Sequence, residues 1–197
     1  MAALTEEQSM LKDQAKSWAT AQAPVVKFRE MRNSGAAECF TPATWEAMVE
    51  MGWTGIIIPE EYGGSDLGYL TFGVVLEELG RQLTASPLFA SALVGASAVV
   101  LGGSDAQKQA LLPKVVDGSE ILTLAVDESP RHTPKQINLT ATAAGNSYKL
   151  NGKKTFVLEG MAATTLVVIA RTSGSAGERE GVTMFLVPAD SAGITRI

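Results

Sequence analysis

The hydrophobic pattern of this 197-residue chain changes period once, near Gly118, and that switch restricts the fold to two unlike parts. Before it, apolar residues recur at helical spacing between recognisable caps. Thr5 and Gln8 form a capping box ahead of Leu11, Ala15 and Trp18. Pro24 opens a second short helix that carries Phe28 and Met31 and ends near Gly35. Thr41 caps a third, Pro42 starts it, Trp45, Met48 and Met51 recur along it, and Gly52 stops it. The run Ile56, Ile57, Ile58 is too short for a helix and leads into the Gly63–Gly64 loop. A fourth helix is expected over 69–80, carrying Leu70, Val74, Glu77 and Glu78, and Ser86–Pro87 opens an uncharged one. Ser104 and Gln107 box the start of the last, which Pro113 bends or ends and Gly118 terminates.

Beyond Gly118 the runs shorten and alternate. Residues 121–126 form an apolar run of strand length, and Ile137 to Thr142 alternates apolar with polar, as a half-buried strand does. Residues 164–171 and 182–187 supply further strands around a flexible loop at Ser173–Gly177. Gly145–Asn146 and Asn151–Gly152 are expected as hairpin turns, because both tolerate positive φ. The expected fold is α+β: an all-α bundle over 1–118, then an antiparallel, barrel-like β-domain over 119–197.

Composition removes several function classes. A net charge of −5 gives no reason to expect a nucleic-acid partner. The single cysteine, Cys39, rules out an internal disulfide and a cysteine zinc cluster, and it is expected as a small packed side chain. It suits a reducing compartment, and the acidic N-terminus lacks the basic start of a secretory signal, so a cytoplasmic location is expected. From Leu83 to Ser104 no residue is charged. Pro87, Ser91, Gly95 and Ser97 dilute its apolar face, so it reads as a buried helix and no membrane partner is expected.

Three segments stand in an informative order: Pro59-Glu-Glu-Tyr62-Gly-Gly64, then Ala125-Val-Asp-Glu128, then Leu150-Asn-Gly-Lys-Lys154-Thr-Phe156. With Glu77-Glu-Leu-Gly80 and Val187-Pro-Ala-Asp-x-x-Gly193, they make nearly the whole chain resemble the first half of an acyl-CoA dehydrogenase. The resemblance implies an FAD-dependent oxidoreductase of fatty-acid oxidation that desaturates an acyl-CoA thioester. It implies homo- or hetero-oligomers of such subunits, with an electron-transferring flavoprotein as a possible acceptor. By the same resemblance, Leu124, Ala125, Val126, Asp127, Thr133, Phe156, Val157 and Leu158 would face the flavin, and Thr133 would also reach the substrate. The catalytic base, a glutamate, belongs to a C-terminal helical bundle, so no catalytic residue and no metal ligand is expected here. Ile197 falls inside the β-domain, so a fragment, a proteolysed product or one piece of a split polypeptide is expected.

The segment that holds the flavin in the family reads Thr-Glu-Pro-Gly-x-Gly-Ser-Asp and falls on Asp127 to Pro134. Glu128 is retained. Asp127 stands where threonine is usual, Pro130 and His132 replace glycines, and Thr133 keeps a hydroxyl in the serine position. Pro130 removes a backbone donor and fixes φ. A carboxylate at Asp127 would oppose charge gained by a reduced flavin unless protonated or turned away. In the second block, Asn151, Gly152, Lys154 and Gly160 match, while Phe156 replaces tryptophan and Leu158 replaces threonine. The flavin enzyme is the leading expectation, and these changes strengthen the alternative to it, a non-catalytic subunit that completes a heteromer with a flavin-bearing homologue. A module that binds an acyl-CoA or a protein without redox chemistry is the third reading. His132, the only histidine, has no Ser or Cys partner for nucleophilic catalysis and is expected in solvent. Glu77 and Glu78 face different directions on one helix and are expected as surface and interface groups.

Overall fold

The computed structural model describes residues 4–197; the first three residues of the N-terminal segment read for a secretory signal lie outside them. Six α-helices come first: α1 (Glu6–Gln22), α2 (Val25–Ser34), α3 (Pro42–Glu50), α4 (Gly68–Arg81), α5 (Ala96–Gly102) and α6 (Asp105–Val116). Five strands follow: β1 (Leu122–Ala125), β2 (Thr140–Ala144), β3 (Ser147–Asn151), β4 (Thr165–Arg171) and β5 (Val182–Pro188). The caps lie where their chemistry places them. The Thr5 hydroxyl accepts from the Gln8 N–H at 3.1 Å and the Gln8 side chain accepts from the Thr5 N–H. Ser104 and Gln107 repeat the arrangement at α6. Ile56, Ile57 and Ile58 sit in a buried turn region that follows a short 3-10 turn at Trp53–Gly55.

The uncharged run is not one regular helix. Phe89–Gly95 is a π-helix that continues into α5. The wider turn brings the buried Ser91 hydroxyl to the Leu122 N–H, from which it accepts at 3.0 Å. Gly95 lies so close to the sheet that a Cβ there would come within 2.4 Å of Leu122 Cβ. This run is therefore the seam between helices and sheet, and among the described residues no helix is long and apolar enough to cross a membrane. The main core joins helical residues such as Trp45, Met48, Trp53, Phe72 and Leu88 to Ile121 and Leu122 at the start of β1. A smaller core lies within the β-part and contains Ala125, Leu139, Ala141, Val168 and Ala170.

The α+β order is as expected, but the sheet is mixed and not antiparallel throughout. β4 is its centre: it pairs with β1 in parallel and with β5 antiparallel along its length, and Arg171 meets Thr140 of β2 in parallel. Only β2–β3 and β4–β5 are antiparallel pairs. Gly145, at φ 63°, makes the β2–β3 turn as anticipated. The second expected hairpin, at Asn151–Gly152, does not form. β3 pairs with β2 alone, and the chain leaves the sheet after Asn151 to return as β4 beside β1. Gly152 is needed for a different reason: its φ is 151°, and a Cβ there would lie within 2.9 Å of Leu139.

Two further expectations are corrected. Cys39 is exposed, at φ 58°, in the loop after α2. Glu78 is buried, because one turn of α4 turns it toward α1, where Lys12 lies at 3.7 Å, while Arg81 of its own helix reaches it at 3.3 Å. Its neighbour Glu77 stays on the surface.

Candidate functional site

The residues expected at the site gather along the outer edge of β1. Beyond Ala125 the chain runs on through Val126 and Asp127, and the segment 154–158 lies beside it in the opposite sense. Thr155 N–H donates to Asp127 O at 2.7 Å, and Lys154 Nζ donates to Val126 O at 2.8 Å. At the far end the Thr123 hydroxyl donates to Leu158 O. Leu124 to Asp127 and Phe156 to Leu158 thus form one edge, and Thr133 joins it through its N–H, which donates to Asp127 Oδ1 at 3.2 Å.

Their side chains divide by direction. Ala125 is buried and Val157 packs on the smaller core, so both point inward. Phe156 is 75% exposed and Leu158 53%, and they form the outward apolar face of the edge. This loop is backbone-strained: Phe156 sits at φ 52° and Glu159 at φ 51°, a region that costs non-glycine residues about 1–3 kcal/mol each. Turn bonds hold it. Gly160 N–H donates to Val157 O, and Ala162 and Ala163 N–H both donate to Glu159 O. Burial pushes the Glu159 carboxyl above its ordinary pKa.

Glu128 and Lys154 fasten the two segments together. The Glu128 carboxylate accepts from Asn138 N–H (2.7 Å), Leu139 N–H (2.9 Å) and Lys154 Nζ (2.7 Å). Both side chains are almost buried, 11% and 7% exposed. Burial by itself would raise the Glu128 pKa, but the Lys154 ammonium and the two backbone donors outweigh it and hold the carboxyl below its usual range. Sequence reasoning did not place this pair among the site residues. Its signal was available: both are positions at which this chain keeps the family residue.

Asp127 organises the loop that follows. Its two carboxylate oxygens lie 3.1 and 2.9 Å from His132 Nδ1, and one also accepts the Thr133 N–H. The hydrogen bond to His132 is the largest influence on Asp127; burial opposes it, the Thr133 N–H supports it, and the carboxyl lies below its ordinary pKa. Asp127 is therefore an anion at neutral pH. The hydroxyls beside it are already committed: Ser129 Oγ and Thr133 Oγ1 donate to Arg131 O at 2.9 and 3.3 Å. His132, expected in solvent, is exposed but tied to this carboxylate.

These side chains do not fit the flavin that the resemblance implies. An anionic carboxylate stands at the position to which the resemblance assigns a threonine hydroxyl. Leu158 brings no donor, Phe156 brings an aromatic face without an N–H, and the Thr133 hydroxyl is spent within its own loop. Among the described residues no group of His, Cys, Asp and Glu could hold a metal ion. Two surface depressions, one beside Lys16 on α1 and one on the β2–β3 hairpin, lie on other elements.

Family models described as acyl-CoA dehydrogenase N-terminal domain and middle domain match residues 5–119 and 128–196. The chain is 34% identical to (2S)-methylsuccinyl-CoA dehydrogenase of Cereibacter sphaeroides over 188 residues, which is 93% of this chain and 33% of that protein. The ChsE4–ChsE5 complex of Mycobacterium tuberculosis superposes with a TM-score of 0.83 at 28% identity, over 98% of this chain and 50% of that one. A structure of the electron transferring flavoprotein of Acidaminococcus fermentans gives a TM-score of 0.80 at 29% identity, with the same coverage of 98% and 50%. The chain thus spans between a third and a half of the length of these proteins.

Proposed function

The chain belongs to the acyl-CoA dehydrogenase family, and from that premise we propose that it works as the flavin-free subunit of a heteromeric acyl-CoA dehydrogenase. Its helical and β-parts would complete an assembly in which a homologous subunit carries FAD and desaturates an acyl-CoA thioester. The observation that carries this reading is the Asp127 carboxylate, ionised and clasped by His132 and Thr133 on the edge where a flavin would need a neutral donor. When bound to the partner, FAD supplies the hydride acceptor. This chain's residues then have a positioning task. Glu128 and Lys154 hold the β1 edge against the returning segment, and the strained turn at 156–159 presents Phe156 and Leu158 outward.

That a structural neighbour is itself a complex of two different chains supports the heteromeric form. An electron-transferring flavoprotein would take electrons from the flavin-bearing subunit. The other reading, a flavin-bearing dehydrogenase in its own right, draws on the exposed Phe156 and Leu158, which offer an apolar platform. The experiment that separates them is flavin counting in the assembly purified from its native source. Absorbance near 450 nm should give fewer flavins than subunits, with none on this chain after the subunits are separated. A full complement of flavin, one on every copy of this chain, would reject the proposal. Residues 1–197 by themselves should reduce no electron acceptor with any acyl-CoA, because none of them matches the family's base.

A further inference from the structure

Resting on the subunit reading above, we infer that Asp127 is the residue that keeps a flavin off this chain, by acting as a built-in anion in its own binding loop. The family's loop would offer donors to the electron-accepting edge of the ring. Here the donors of the loop have turned inward. His132 Nδ1 lies 2.9 Å from Asp127 Oδ2, and the Thr133 N–H donates to Oδ1. The Thr133 and Ser129 hydroxyls close on Arg131 O, and the Arg131 N–H donates back to Ser129 Oγ at 3.3 Å. One acidic side chain thereby does two things. It holds the Thr133 N–H and the His132 ring nitrogen, and it sets a negative charge against the acceptor-rich edge of the ring.

The edge on which the loop stands is otherwise intact. The edge remains held by Glu128 and Lys154, Phe156 is aromatic and outward, and Val157 is anchored in the smaller core. Pro130 removes a backbone donor from that loop and takes no part in the clasp's hydrogen bonds. Exclusion thus depends on residue 127 more than on loss of the surrounding fold, and it should be reversible by substitution there.

The test is titration of the full chain with FAD, read by quenching of flavin fluorescence and by absorbance near 450 nm. Wild type should show no saturable binding at micromolar FAD. Asp127→Thr, with its hydroxyl and without the charge, should bind about tenfold or more tightly than wild type. Asp127→Asn should gain in the same direction, and it keeps the shape of the clasp if the threonine variant folds poorly. His132→Ala is the decisive control: it opens the clasp but leaves the carboxylate, and should gain nothing. A gain in His132→Ala equal to that in Asp127→Thr would overturn the inference, since the charge would then not be what excludes the ring. If wild type stays flavin-free and neither Asp127 variant binds, the inference fails while the subunit reading stands. Tight binding by wild type would remove the subunit reading itself.

Discussion

Glu128 and Lys154 carry more of the site's stability than any surface pair, because water cannot replace either partner. Glu128→Gln would leave the nearly buried Lys154 ammonium without its anion and would set an amide NH2 against a backbone N–H that the carboxylate now accepts. Breaking a buried pair from one side costs about 3 kcal/mol or more, so urea unfolding should show a loss of that order. The exposed Lys27–Glu30 pair on α2 is the contrast, and Lys27→Ala should cost less than about 0.5 kcal/mol. The same carboxylate sets an acid limit. Its pKa is lower folded than unfolded, so its contribution is full at neutral pH and is lost as pH falls through the folded value. Wild type should lose stability on acidification below about pH 5, and Glu128→Gln should lose less over the same range. Glu159 has the opposite sign. Burial raises its pKa, so ionisation penalises the folded state, and the penalty grows as pH rises through its ordinary range. Glu159→Gln should raise the melting temperature at pH 7, and that gain should vanish at acid pH where both states are protonated. A gain that persists there would mean the side chain acts by packing and not by charge.

Among the elements, the π-helix at Phe89–Gly95 is the one whose geometry the rest depends on. A regular helix would turn Ser91 away from the Leu122 N–H, leaving a buried donor without an acceptor. Gly95 permits the approach to β1, since a Cβ would collide with Leu122. Gly95→Ala should therefore destabilise by about 1–3 kcal/mol through overpacking, although alanine is the better helix former. Equilibrium denaturation checks the direction: a stabilised variant would mean that local propensity outweighs the contact. Gly73, in the middle of α4, has nothing within 4 Å of the corresponding position. There the same substitution should be neutral or stabilising, which separates the seam from a general effect of glycine in helices.

At the scale of the whole molecule, the boundary near Gly118 divides the sequence but not the core. Ile121 and Leu122 of the β-part and Leu186 of β5 pack with the helical core, and Thr164 N–H and Thr165 N–H both donate to Ile121 O. All the tryptophans (Trp18, Trp45 and Trp53) belong to the helical part. Their fluorescence reports the helices alone, while amide exchange at Val167 and Val168 of β4 reports the sheet. The two should lose structure at the same denaturant concentration, as one cooperative unit. A sheet that opens while tryptophan fluorescence is unchanged would show two units that unfold separately.

What the sequence by itself determined was local: caps at Thr5, Thr41 and Ser104, the stop at Gly52, the switch to strand period, and the turn at Gly145. Each depends on side chains a few residues apart, so each is visible in a short window. The gathering of residues 124–127 with 156–158 was legible as well, through the resemblance of two separate segments to one family. Only the tertiary structure decided that Asn151–Gly152 is no hairpin and that the sheet is mixed, because strand partners are chosen by where the chain returns, and β4 returns beside β1. It also decided the burial of Glu78, which depends on Lys12 of a helix distant in sequence. The clasp of Asp127 by His132 was beyond any periodicity. Those residues are five apart in an irregular loop, and their meeting follows from how that loop folds back on the end of β1.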